Sequence, residues 1–147
     1  GGAGVLDGKL KSLVLKLNLK SNVKFVGKIA ANMTPQYYNA CDLFVLPSII
    51  DSKGETETLG VVLIEALSCG KPVVASRVGG IIDVVDSKVG VLVSQKDSRV
   101  LANAITKLLV DKKMYNKYAK ETRKYIINKF GSEKVIERTI DVYGQVL

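Results

Sequence analysis

Histidine is absent from the 147 residues. A Ser-His-Asp or Cys-His nucleophile system therefore cannot be assembled within the chain, nor can a His-ligated metal or haem site. Only two cysteines occur, Cys41 and Cys69, 28 positions apart, and they fit no zinc spacing. Each closes an apolar segment, where buried free thiols are common, so reduced thiols and cytoplasmic residence are expected. No apolar run approaches the roughly 18 residues needed to cross a bilayer. The start, Gly1 to Gly8, is glycine-rich and lacks the basic-then-apolar order of a signal peptide. It also lacks an initiator Met, so a fragment is expected. No repeat, low-complexity tract or linker interrupts the chain, which reads as one domain over residues 1–147.

What remains is ordinary globular composition: 47% hydrophobic and 24% charged residues in 15.9 kDa. The net charge of +8 is uneven. Residues 1–30 carry six Lys against one Asp, a net of +5. Residues 31–106 carry six basic and eight acidic groups, a net of −2. Residues 107–134 carry nine basic and three acidic groups, a net of +6. Such basic ends suit phosphate-bearing partners such as nucleotides, nucleic acid or an anionic membrane, and equally suit a solvated lysine face.

Leucines at 6, 10, 13 and 17 have helical period, with Asp7 as candidate N-cap. Val23–Val26 reads as a short strand ended by Gly27. Thr34-Pro35 opens a short helix, with Thr as N-cap and Pro at its first position. Leu43–Leu46 is a strand halted by Pro47. A polar loop over 47–58 leads to a helix from Leu59 to Cys69, closed by Gly70. Strands at Val73–Ser76 and Gly90–Val93 flank a short helix at Ile81–Val85. Helices at Asp97–Val110, Lys112–Phe130 and Ser132–Val146 follow. Uniformly apolar strands alternating with helices predict an α/β fold: a Rossmann-like, three-layer parallel sheet with helices on both faces. Ligands of such sheets bind beyond the carboxyl ends of the strands.

The informative segment runs from Gly54 to Leu67. Glu65 stands within Val61-Val62-Leu63-Ile64 and Ala66-Leu67, and an acid buried there without a partner costs several kcal/mol. It calls for a partner such as a sugar diol or a lysine; the plain alternative is an exposed stripe of the helix. Glu57 lies eight residues earlier, and on its own would be an ordinary loop acid. Gly60 and its neighbours offer backbone N–H groups at a helix start, a ready phosphate site. Eight residues at helical rise span about 12 Å. That is comparable with the separation of the ribose from the far sugar in a nucleotide-sugar, with the pyrophosphate between them.

Glu57, seven residues, Glu65, then Ala66-Leu67-Ser68-Cys69-Gly70-Lys71-Pro72-Val73-Val74-Ala75-Ser76 and Val78-Gly79-Gly80 resemble the donor-binding region of retaining family 4 glycosyltransferases (glycosyltransferase group 1). Asn22–Gly27 and Tyr37–Ser48 resemble the preceding strands of that family. The resemblance implies the C-terminal half of a GT-B fold and transfer of a hexose from a UDP- or GDP-sugar, with retention and with no cofactor or metal. It implies that Glu57 holds the transferred sugar, that the backbone of Thr58, Leu59 and Gly60 meets sugar and pyrophosphate, that Glu65 accepts from the ribose hydroxyls, and that Lys28 and Ile29 contact the base. Thr58 stands where the family often has Gly or Ser, and Leu59 where it often has Phe or Tyr. The family's domain opens with a strand and an Arg/Lys loop ahead of a Gly-rich turn. This chain starts at that turn, Gly1-Gly2-Ala3-Gly4, so an N-terminally truncated domain is expected. The half that takes the sugar, lipid-linked or polysaccharide acceptor would be absent, and the isolated chain inactive.

Other features carry less. Gly2-x-Gly4 follows no strand and is a poor dinucleotide fingerprint. Arg77 suits a surface salt bridge, and Lys71 a helix C-terminus. Tyr115, Tyr118 and Tyr125 have core spacing. Asp42, Asp51 and Asp83 lack metal-ligand spacing. The basic helix 112–129 suits a solvated face, with peripheral contact at the inner membrane face as the other reading. Nucleic-acid binding would rest on charge alone and is not expected. The alternative to an enzyme is a nucleotide-sugar-binding module without transferase activity.

Overall fold

The computed structural model describes residues 1–146. They divide into two compact units, Gly1–Thr34 and the longer remainder from Pro35 onward.

In the first unit the leucine period produces a helix, α1 (Asp7–Lys16). Asp7 lies inside its first turn rather than at the cap, which is Leu6, and pairs with Lys11 at 2.6 Å. None of the ten residues of α1 is buried. Val23–Val26 forms no strand, which corrects the sequence expectation. A strand is held by backbone hydrogen bonds to a neighbour. The link formed beside this segment is the Gly2 N–H donating to the Gly27 carbonyl at 2.7 Å, one bond where a ladder needs several. A single 3-10 turn, Ala31–Met33, ends the region and runs into α2 (Thr34–Ala40).

In the second unit the β-branched runs become β1 (Phe44–Leu46), β2 (Val73–Ser76) and β3 (Gly90–Val93). They form one parallel sheet in the order β1-β2-β3, with Phe44 opposite Val73 and Val73 opposite Gly90. Parallel neighbours need crossovers. Here α3 (Val61–Ser68) links β1 to β2, and α4 (Ile81–Val84) links β2 to β3. Three helices complete the unit: α5 (Ser98–Val110), α6 (Lys112–Phe130) and α7 (Ser132–Val146). Asp97 caps α5 by accepting from the Arg99 and Val100 amides, at 3.0 and 2.9 Å. Asp111 caps α6 through Met114, at 2.9 Å.

The pleat of β2 distributes the core. Val73 and Ala75 pack with Leu63 and Leu67 of α3, Ile81 and Val84 of α4, and Ile126 of α6. Val74 packs on the opposite face with Leu108 of α5, and Leu101, Met114, Tyr115 and Tyr118 close around it. This is the expected three-layer α/β arrangement with helices on both faces. Helix α6, about 28 Å long at 1.5 Å per residue, supplies both layers. Its Tyr115 hydroxyl donates to the Asp42 carbonyl just ahead of β1, at 2.8 Å. Among the described residues no helix is long and apolar enough to cross a membrane.

Candidate active site

Beyond the carboxyl ends of the strands the chain is organised by local polar groups. After β1, the Asp51 carboxylate accepts from the Lys53 and Glu55 amides at 2.7 and 3.0 Å, closing a turn completed by Gly54 at φ +81°. The Ile50 amide donates to the Gln95 side chain at 2.7 Å, tying this loop to the end of β3. A cavity of about 260 Å³ opens here, lined by Pro47, Ile49, Ser76, Val93, Ser94 and the start of α5. It lies beyond the carboxyl ends of the strands, where ligands of such sheets bind.

Glu57 is half-buried one turn before α3. Its carboxylate accepts from the Gly60 amide at 3.1 Å, and its own carbonyl accepts from the Gly80 amide at 3.2 Å. Gly60, the N-cap of α3, is left-handed (φ 75°, ψ 52°), which turns the chain into the helix. No side chain caps that helix end beyond Gly60; the Leu63 amide donates back to the Gly60 carbonyl at 2.8 Å, and the remaining first-turn amides give the helix start its partial positive charge. Thr58 and Leu59 are exposed.

The Gly79-Gly80 turn after β2 lies directly against this loop. A β-carbon on Gly79 would fall on the Glu57 carbonyl oxygen, and one on Gly80 would fall on the Thr58 carbonyl oxygen. The two glycines therefore let backbone approach backbone and fix the height of Glu57.

Glu65 departs from expectation in burial. It lies on the open face of α3 with Val61, Val62 and Ser68, while Leu63, Ala66 and Leu67 take the core side. A carboxylate one turn into a helix can turn to solvent at little cost, so the desolvation argument does not apply. The carboxylate is nevertheless fixed: the Tyr38 hydroxyl donates to its Oε2 at 2.9 Å. Tyr38 itself is buried, and burial, reinforced by the Glu65 carboxylate, pushes its hydroxyl well above the ordinary tyrosine range. The 12 Å helical span is also corrected. Only Val61 to Glu65 is helix, roughly 6 Å of rise, while 57–60 is a turn.

Lys28 and Ile29 belong to the first unit, where Lys28 is exposed and Ile29 packs against Gly1. The sequence reading names Asp51 only to set aside a metal and Gln95 only within the loop after Val93, and gives Tyr38 no role of its own. Asp51 was legible as an Asx turn ahead of Gly54; Tyr38 and Gln95 act on residues 27 and 45 positions away, which no local pattern shows. Among the described residues no cluster of three or more acidic or thiol side chains could hold a metal.

Residues 1–125 match the family described as "Glycosyl transferases group 1". A D-inositol 3-phosphate glycosyltransferase of Salinispora arenicola is 32% identical over 139 residues, covering 94% of this chain and 30% of that protein. The structure of Anabaena Alr3699/HepE in complex with UDP-glucose superposes with a TM-score of 0.82 at 29% identity, over 98% of this chain and 39% of that one. Sucrose-phosphate synthase of Thermosynechococcus elongatus gives a TM-score of 0.80 at 31% identity, over 99% of this chain and 37% of that one. The chain thus spans about a third of the length of such relatives.

Proposed function

The chain belongs to the group 1 glycosyltransferases, and from that membership we propose that the Glu57–Glu65 segment is the donor site of a retaining hexosyltransferase using a UDP- or GDP-sugar. The observation that carries the reading is the arrangement around α3: one carboxylate fixed just before an uncapped helix start, and a second fixed one turn inside it. Such a start attracts a pyrophosphate, which places a sugar toward Glu57 and a ribose toward Glu65. The Gly60 amide donates to the Glu57 carboxylate. A phosphate oxygen taking that amide releases the carboxylate to the sugar hydroxyls, with Thr58 and Leu59 contributing backbone groups.

In this reading Glu57 positions the sugar and does not attack it. A double displacement needs a carboxylate against the anomeric carbon on the face opposite the leaving group. Glu57 instead sits beside the helix end that meets the leaving phosphate, which suits the outer hydroxyls. The helix-end amides stabilise the departing phosphate, and that phosphate can take the acceptor's proton. The acceptor is assigned to sequence outside this chain.

Calorimetry on the protein encoded by the whole reading frame tests the assignment with UDP, GDP and UDP-glucose. Glu65→Gln keeps shape and removes charge-assisted hydrogen bonds worth roughly 1.5–3 kcal/mol, so nucleoside diphosphate affinity should fall about tenfold or more. Glu57→Gln should weaken UDP-glucose and leave UDP nearly unchanged. Unaltered UDP and GDP affinity in Glu65→Gln returns that residue to a structural role.

A further inference from the structure

Glu65 is held by one oxygen only. Its Oε2 accepts from Tyr38, and among the described residues Oε1 has no hydrogen-bond partner. The donor is more tightly fixed than the acceptor. Tyr38 is 8% exposed, while Glu65 stands on the open face of α3. The Tyr38 ring meets the Phe44 ring edge-on, with centroids 5.4 Å apart and planes at 73°. The end of its helix is pinned as well. The Tyr38 carbonyl accepts from the Cys41 thiol at 3.1 Å, and the Asn39 carbonyl accepts from Lys71, just past the end of α3, at 2.9 Å. The hydroxyl therefore projects from the core onto the surface of a neighbouring helix at a set place. A phenol is protonated at neutral pH in any case, and burial raises this one further, so the hydroxyl remains a donor.

A glutamate on an open helix face ordinarily samples several rotamers, and ordering it for a ligand costs entropy. A ligand hydroxyl gains most from a carboxylate already aimed. We propose that Tyr38 is the positioning residue of the ribose subsite, its hydroxyl holding Oε2 of Glu65 so that Oε1 is presented to a vicinal hydroxyl of the nucleotide ribose. The inference rests on the assignment of Glu65 to the ribose made above, and adds the residue that aims it.

The test compares UDP with 2′,3′-dideoxy-UDP by calorimetry in the protein of the whole reading frame, with GDP and its dideoxy analogue in their place should the wild type prefer that base. Tyr38→Phe keeps the ring against Phe44 and deletes only the donor. It should weaken UDP about three- to tenfold, the range expected for one lost positioning bond. Affinity for the dideoxy analogue should not move, so discrimination between the two shrinks by the same factor. A packing defect would weaken both nucleotides equally, and that result overturns the proposal. Tyr37→Phe, on the exposed neighbouring tyrosine, should leave both affinities as in the wild type; an equal effect there also overturns it. The double variant Tyr38→Phe/Glu65→Gln should bind UDP no more weakly than Glu65→Gln alone, and full additivity counts against the coupling. Unchanged discrimination in Tyr38→Phe with a loss in Glu65→Gln removes Tyr38 and leaves the ribose assignment standing. No loss in either variant removes both.

Discussion

Helices α1 and α5 share an apolar period and differ in what becomes of it. In α1, Leu10 and Leu13 are each 49% exposed, and no residue of the helix is buried. In α5, Leu108 is fully buried, and Leu101, Ala104 and Ile105 pack around Val74 and Val93. The period of a sequence creates an apolar face; only a second surface buries it. In the second unit that surface is β2, buried at all four positions because helices cover both of its sides. Stability of the second unit should therefore be concentrated along β2 and the helices against it, and the proposed donor loop stands on that support.

The largest expected effect follows directly. Leu67→Ala removes a fully buried side chain from the α3 face that packs on Val73 and Ala75, and should cost about 2–5 kcal/mol of unfolding free energy. Leu13→Ala in α1 should cost well under half as much, since surface substitutions usually stay within about 0.5 kcal/mol. Urea titration of both variants measures the difference. Comparable losses would mean that α1 is as firmly packed as α3, and the contrast would fail.

The same contrast explains what could be read in advance. The bounds of β2, β3, α6 and α7 coincide with the sequence reading, because Pro72, Gly90, Gly131 and, ahead of α6, Asp111 mark their limits. Val23–Val26 has the composition of a strand and is not one, because a strand depends on a neighbour that composition does not reveal. Within the site, Glu57, Gly60 and Gly79-Gly80 were visible as spacing and turn chemistry. The burial of Glu65 was misjudged, since a continuous apolar run hides which residues face out. In α3 the open stripe is Val61, Val62, Glu65 and Ser68, and its valines look like core. Tyr38 enters the sequence reading only as part of the Tyr37–Ser48 resemblance. Its role comes from packing that brings α2 beside α3.

Gly80→Ala probes the join between the β2 end and the Glu57 loop. Gly80 has φ −73°, which any residue adopts, so the substitution introduces no backbone strain. The added carbon would occupy the position of the Thr58 carbonyl oxygen, and the loop must move. Overpacking of this kind costs about 1–3 kcal/mol. In the whole protein, UDP-glucose affinity should drop more than UDP affinity, because Glu57 shifts and Glu65 does not. Equal loss for both ligands would show that the turn supports the whole segment rather than Glu57.

The smallest effects compare two aspartates at helix starts. Asp97 precedes α5 and accepts from two of its first amides, at 3.0 and 2.9 Å. Asp97→Ala leaves those amides without their partner and should cost about 1 kcal/mol. Asp7 lies inside the first turn of α1 and makes no capping bond; its contact is the ion pair with Lys11 at 2.6 Å, four residues along. Both side chains are well exposed, so solvent and salt screen the pair, and such helix pairs contribute about 0.3–0.5 kcal/mol. Asp7→Asn should therefore shift unfolding by no more than a few tenths of a kcal/mol, and by less still in 1 M NaCl, where the Debye length is about 3 Å. The Asp97→Ala loss should survive the same salt, since it comes from unpaired amides rather than from separated charges. Parallel urea titrations at low and high salt separate the two mechanisms. A salt-sensitive Asp97→Ala loss would assign that cap to the helix dipole instead of to its two hydrogen bonds.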